Sequence, residues 1–302
     1  SLPFYRQEGI FRRLNIDIRR GLMSQSARKA AEYLQPLQKL LYQELKNAYH
    51  LGIDETTIQV LKESGRSPES KSFMWHIRAE TRAGPVPLYL YRTSRSGAFL
   101  THLLDGFQGS IITDGFETYN RFDNVPGIQH VGCNSHARRK FTDAEKVSPK
   151  NSDTQEVIEL YRQIYAIEDR WRKIHKDQYK NPDKALEILH TRRQQRTKPL
   201  MDKLYQKLQS LAPVVNPKSN LGKAVNYTLK QWPKLTLFLD DPNIPIDNNM
   251  VENGIRPFAI GRKNWLCVPR SSKTARSVKE HAVSGMRVGP SKSPYRRRFQ
   301  TA

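Results

Sequence analysis

Three carboxylates stand far apart in the chain: Asp54 in LGIDET, Asp114 in SIITDG and Glu252 in NNMVENG. Metal-assisted cleavage of a phosphodiester needs hard oxygen ligands that converge from different parts of a fold, because Mg²⁺ is held by a few carboxylates together with substrate phosphate and water. Two such ions about 4 Å apart activate the attacking oxygen and stabilise the leaving one. A chain doing this chemistry must place at least three acids at the ends of neighbouring elements. Each of the three also has an ordinary reading. Asp54 could close a turn, and Asp114 followed by Gly115 is a common turn pair. Asn249 and Glu252 have the spacing of a capping box, with Asp247 and Asn248 as further cap candidates.

The elements around these acids follow from periodicity. Residues 4 to 48 read as two helices joined near Asn15, Ile16 and Asp17, with Leu34, Leu37, Leu40 and Leu41 at helical spacing; this is a helix-turn-helix or an ordinary helical hairpin. LGIDETTIQVL, SFMWHIR and PVPLYLY predict three consecutive strands. Their short connections favour antiparallel pairing, since a parallel return needs a longer crossover. Glu55 is expected on the face opposite Asp54, because strand side chains alternate. GAFLTHLLDGF predicts a short helix, and GSIITDG after it a buried parallel strand whose carboxyl end carries Asp114, where open sheets bind ligands. IQHVGCN predicts a further strand, and SHARRKFTDAEK a helix capped by Ser135. From residue 153 to about 240 three apolar stripes predict helices packed for structural reasons alone, including Leu200, Leu204, Leu208 and Leu211.

Charge narrows the partner. The 302 residues carry 51 Lys plus Arg against 29 Asp plus Glu, a formal net charge of +22. Such an excess attracts a polyanion, and nucleic acid releases counterions when Lys and Arg neutralise its phosphates. From Gly254 to the end there are 12 Lys or Arg against one Glu, and the run after Pro269 has little apolar periodicity, as expected of a basic mobile tail. His136, Arg138, Arg139, Lys140, Arg256, Arg262 and Lys263 are the candidate DNA contacts, with Trp265 beside them as a ring for a DNA groove. Arg138, Arg139 and Lys140 cannot all face one way on a helix. Arg256 shares a helical face with Glu252, and Pro257 is expected to limit or kink that helix. Cys133 with His136 mimics half a zinc site, but with Cys267 the only other cysteine no second pair exists. Two cysteines build no disulfide framework, which points to a reducing, cytoplasmic compartment. No apolar run is long enough to span a membrane, and without a GxxxxGK[ST] loop ATP use is not expected.

LGIDETTIQVL, SGAFLTHLLDGFQGSIITDGFETYNRF, HVGCNSHARRKF and IDNNMVENGIRPFAIGRKNWL, in this order, resemble the transposases of family 66 insertion sequences; the likeness covers roughly residues 2 to 267. It implies a DDE transposase of the α/β class: a ribonuclease-H-like mixed sheet flanked by helices, with an N-terminal helical segment and a helical insertion before the last acidic residue. The corresponding division is residues 1–49 as an N-terminal helical, DNA-binding segment, 50–150 as the first part of the core, 151–243 as the insertion, 244–268 as the end of the core, and 269–302 as the tail. The resemblance implies Asp54, Asp114 and Glu252 as catalytic residues and ligands of two Mg²⁺ or Mn²⁺ ions. It implies nicking at insertion-sequence ends, attack of the freed 3′-hydroxyl on target DNA, a homodimer in the synaptic complex and a place in the bacterial nucleoid. Members of that family begin with a coiled coil and a cysteine-rich zinc element without a counterpart in this sequence, and the residues after NWLCV depart from the family pattern. The alternatives are therefore a silent remnant that binds DNA by charge alone, or a general ribonuclease-H-like nuclease.

Overall fold

The central strand is β1 (His50–Gln59), and its alternation organises the molecule. Leu51 and Ile53 are buried on one face, while Gly52, Asp54 and Thr56 take the other. In this computed structural model, which describes residues 2–61, 63–175 and 182–265, β1 pairs antiparallel with β2 (Lys71–Thr81), and β2 pairs antiparallel with β3 (Gly84–Arg92). On its other side β1 runs parallel to β4 (Gly109–Thr113), which runs parallel to β5 (Ile128–Gly132). The result is a mixed α/β arrangement with a five-stranded mixed sheet in the order β3-β2-β1-β4-β5 and, among the described residues, about ten helices. The three expected strands and their antiparallel pairing are observed, as is the parallel strand at GSIITDG; the further strand expected at IQHVGCN is present and also runs parallel.

One face of the sheet packs Leu51, Ile53, Trp75, Ile77 and Ile111 against Leu100, Tyr119 and Phe122. Leu100 belongs to α4 (Ala98–Leu103), and the two aromatic rings to a 3₁₀ segment over Glu117–Phe122. The opposite face joins Ile112 and Val131 to the helices that follow: α5 (Asn134–Val147), α6 (Ser152–His175), α8 (Lys198–Leu211) and α9 (Asn220–Leu235), with α7 (Pro182–Arg192) between α6 and α8. Val157, Tyr161, Ile164, Leu204, Leu208 and Val225 form one continuous core with Ala137 and Phe141 of α5. The expected stripes are thus buried against the sheet's own helix. Among the described residues no helix is long and apolar enough to cross a membrane.

The N-terminal region differs from the expected helix pair. Three helices occur, α1 (Phe4–Arg13), α2 (Arg20–Tyr33) and α3 (Gln35–Lys46). Asn15 adopts a left-handed φ of 58° after α1, as expected of a break there, but Pro36 at the start of α3 divides the second helical stretch. The leucine stripe is also displaced. Leu34, Leu37 and Leu40 are 57%, 50% and 58% exposed, whereas Leu45, four residues after the half-buried Leu41, is 1% exposed. The sheet's core is met by the second half of α3, through Leu41, Tyr42 and Leu45, which sets which face is buried.

Two further expectations are corrected. Ser135 does not cap α5: the helix begins at Asn134, with Cys133 at the cap position and no side-chain cap. Buried Asn134 decides this, since its backbone N–H donates to the Ile246 carbonyl at 3.2 Å and its amide to those of Leu235 at 3.0 Å and Ile246 at 3.2 Å. Nor does Pro257 end its helix, because α10 runs unbroken from Asn249 to Trp265. The expectations for Lys263, Trp265, Cys267 and the tail concern side chains or segments outside the described residues.

α10 lies across β1 and β2 because glycine permits it. A methyl group on Gly52 would collide with Val251 Cγ2 and reach Asn248 Oδ1 at 2.7 Å; one on Gly254 would strike the His76 ring. Gly52→Ala is therefore expected to push α10 off β1 and to destabilise the protein by about 1–3 kcal/mol, the usual cost of overpacking. Urea denaturation reads this directly, and an unchanged midpoint would show that the helix does not depend on that contact.

Candidate active site

The site lies where the parallel pairing of β1 with β4 stops, midway along β1 and at the carboxyl end of β4. β1 and β4 pair with Gly52 opposite Ile112, so two positions further along each strand come Asp54 and Asp114. β4 and β5 pair with Thr113 opposite Gly132, so Cys133 follows beside Asp114 and leads into α5. Asp54 Oδ1 accepts the Glu55 backbone N–H at 2.9 Å, and Asp114 Oδ1 accepts that of Phe116 at 3.0 Å. The third acid arrives from above the sheet. Asn248, immediately before α10, donates its amide to the Ile53 carbonyl at 2.9 Å and its backbone N–H to Cys133 Sγ at 3.3 Å. This single residue ties the start of α10, which carries Glu252, to both β1 and the cap of α5.

Glu252 does not close a capping box. Asp247 takes that part, its Oδ1 accepting the Asn249 backbone N–H at 3.1 Å and its Oδ2 the Asn249 amide at 2.7 Å. The Glu252 carboxylate turns instead to α5, where Arg139 donates to Oε2 at 3.2 Å and His136 Nδ1 stands 3.6 Å from Oε1. That second separation is an ion-pair distance beyond hydrogen-bond reach. Both facing atoms are buried and without a hydrogen-bond partner. A buried carboxylate oxygen left so is costly, and a bound cation would satisfy it.

The acids sense one another. Burial, then the neighbouring Glu55, then Glu252 and Asp114, push the Asp54 carboxyl up to about 7. Burial lowers His136, opposed by the negative charges of Glu252 and Asp114. Tyr227 lies against Gly115, where a methyl group would meet its ring at 2.6 Å, and burial followed by the Asp114 charge pushes its hydroxyl up to about 12. Mutual repulsion of this kind among carboxylates needs a counterion or protons to relieve it.

The expected alternation at β1 also holds. Glu55 points away from Asp54 into the other face, bonding Arg95 at 2.5 Å and accepting from the Tyr119 hydroxyl. Arg95 is stacked 3.6 Å from the Phe116 ring centroid. On the Asp54 side, Tyr227 and Asn248 frame the site, and nothing local in the sequence marks their contacts, because the partner of Asn248 on β1 lies 195 residues away.

The basic residues divide. Arg139 pairs with Glu252; Arg138 lies 5.3 Å from the Tyr165 ring and Lys140 4.4 Å from that of Tyr227. The three consecutive cations do diverge. Arg256 is exposed, and Glu252 pairs with Arg139 and faces the His136 ring, not Arg256. Arg262 donates to Thr56 Oγ1 at 3.1 Å and Thr57 Oγ1 at 3.0 Å, which fastens α10 to β1.

The family model described as Transposase IS66 family matches residues 1–276. The chain belongs to the IS66 family of transposases. Among curated proteins it is similar to y4jD of Sinorhizobium fredii (strain NBRC 101917 / NGR234), described as uncharacterised, with 30% identity over 278 residues that cover 88% of this chain and 52% of that protein. Another protein of that organism described in the same words, y4qI, is 29% identical over 88% of this chain and 49% of its own length. This IS66-family chain thus spans about half the length of the curated relatives it matches.

Proposed function

We propose that this chain carries the catalytic centre of a DDE transposase, which cuts DNA at insertion-sequence ends and joins the freed 3′-hydroxyl to target DNA. The observation that carries the reading is that Asp54, midway along β1, feels the charges of Asp114 just after β4 and of Glu252 on the crossing helix, in a chain of the IS66 transposase family. The β3-β2-β1-β4-β5 order, with its three antiparallel strands followed by two parallel ones, supports a ribonuclease-H-like core.

The donor set fits hard divalent cations: three carboxylates, one with a buried unpartnered oxygen, and an Asp54 whose ionised form needs positive charge beside it. Asp54, Asp114 and Glu252 would hold two Mg²⁺ or Mn²⁺ ions, which when bound activate the attacking oxygen and stabilise the leaving one. The protein's own groups orient and neutralise. Asn248 and Gly52 hold Glu252 at its height over β1, and Arg139 offsets its charge. Arg139 and Arg256 expose guanidinium groups on the same side as Glu252, suited to the phosphates flanking the scissile bond. The net charge of +22 supplies the longer-range attraction for DNA. Synapsis of two ends would require two copies of the chain.

The decisive experiment incubates the protein with labelled insertion-sequence-end DNA and Mn²⁺. Nicking at the end, absent with an Asp114→Asn variant, is the expected result. Binding without any nicking above that variant sinks the enzyme reading, and degradation without preference for ends replaces it with a general nuclease.

A further inference from the structure

The sequence offers Cys133 and His136 as half of a zinc site with no second half. The fold supplies a third donor of a different kind. Cys133 Sγ, a ring nitrogen of His136 and a carboxylate oxygen of Glu252 all lie within 4.8 Å of one another. We propose that Cys133, His136 and Glu252 bind one thiophilic divalent cation of the Zn²⁺ or Co²⁺ class, at a site distinct in donor chemistry from the three carboxylates.

Geometry, accessibility and donor type agree. Metal bonds of about 2.0–2.3 Å set the edges of a tetrahedral site at roughly 3.3–3.8 Å. His136 Nδ1 and Glu252 Oε1 are already 3.6 Å apart, both buried and both without a hydrogen-bond partner. Rotation of the side chains by about 1 Å would bring all three donors to those edges. Cys133 is fully buried at the cap position of α5, and the Asn248 N–H points at its sulfur. The His136 and Glu252 side chains are about a quarter exposed, which leaves a fourth position open to water. Arg139 holds only Oε2, and its half-exposed side chain can swing away.

A thiolate and an imidazole favour Zn²⁺ or Co²⁺, whereas Mg²⁺ selects oxygen. Binding replaces the thiol hydrogen with the metal, and that proton leaves to solvent with no change of oxidation state. Burial pushes the Cys133 thiol up to about 12. Because Glu252 belongs to both donor sets, a thiophilic ion here would take it from the hard-ion set.

Titration of the purified protein with Co²⁺ tests the site by a readout independent of DNA cleavage. A thiolate-to-cobalt charge-transfer band that saturates at one equivalent is expected. Cys133→Ser should abolish it, and His136→Gln should weaken Co²⁺ binding at least about tenfold, the smallest effect usually seen when a metal's surroundings are disturbed. Cys267→Ser and Asp54→Asn should leave it unchanged, the latter while losing any nicking, so that the two sites fail or succeed separately. Circular dichroism of each variant confirms its fold. Absence of the band in the native protein, or its persistence in Cys133→Ser, overturns the proposal.

Discussion

Asp54→Asn is expected to reduce nicking of insertion-sequence ends by roughly a thousandfold while making the metal-free protein more stable. The loss follows from removing one carboxylate of a set whose ions are worth several kcal/mol in the transition state, at about 1.4 kcal/mol for each tenfold in rate. The gain follows from proton linkage. Burial and the surrounding acids raise the Asp54 carboxyl from 3.8 to about 7, so between those values the folded protein holds a proton that the unfolded chain has already lost. Stability then falls as pH rises through that window, and above about pH 7 the whole penalty is present, at most a few kcal/mol. The asparagine variant escapes it. Its advantage in thermal melts without metal should be small near pH 4, grow up to about pH 7 and then level off, and added Mg²⁺ should narrow it by stabilising only the native carboxylate set. An advantage that shrinks with rising pH, or a variant that still nicks DNA, would falsify the shared role of this carboxylate.

Arg193→Ala is expected to cost about 3–5 kcal/mol, the usual penalty for leaving a buried charge without its partner. Arg193 is 2% exposed and makes a two-pronged pair with Glu168, both bonds at 2.9 Å. It also donates to the carbonyls of Phe238 at 2.6 Å, Asp241 at 3.2 Å and Ile244 at 3.0 Å. Those carbonyls belong to the loop that leads through Ile246 to Asn248 and α10. Removing the guanidinium therefore strands Glu168 and releases the segment that carries Glu252, with a fall in melting temperature on the order of 10 °C for a chain of this size. The double variant Arg193→Met with Glu168→Leu separates the two contributions. It should recover the charge penalty but not the three carbonyl bonds, each worth about 1 kcal/mol. A single variant that melts like the native protein would show that the loop is held by other contacts.

The stripes of residues 153 to 240 look purely structural in sequence, yet they surround this buried arginine. Nothing in the periodicity of ALEILHTRRQQRTKPL marks Arg193 among its basic neighbours, since what distinguishes it is Glu168, 25 residues earlier, and a loop some 45 residues later.

Strand alternation was legible at β1, where it placed Asp54 and Glu55 on opposite faces, because side-chain direction in a strand depends only on local backbone geometry. GSIIT was legible as a buried parallel strand from its apolar run and its place after a helix. Family membership was legible too, through four motifs whose order survives without any knowledge of contacts. Local rules failed where a distant partner outbid them. Ser135 has the chemistry of a cap, but Asn134 reaches the Leu235 and Ile246 carbonyls and starts the helix one residue earlier. Asn249 and Glu252 have the spacing of a capping box, but Asp247 takes the cap and Glu252 turns to His136 and Arg139. The sequence alone determined which residues could be ligands and on which element each would lie. Only the tertiary structure decided that Asp54 feels the charges of Asp114 and Glu252, and that Glu252, 116 residues after His136, comes within 4.8 Å of Cys133 and His136. Such convergence depends on glycines that let α10 settle onto β1 and on one asparagine that fastens it there, and these are contacts between segments that no local pattern encodes.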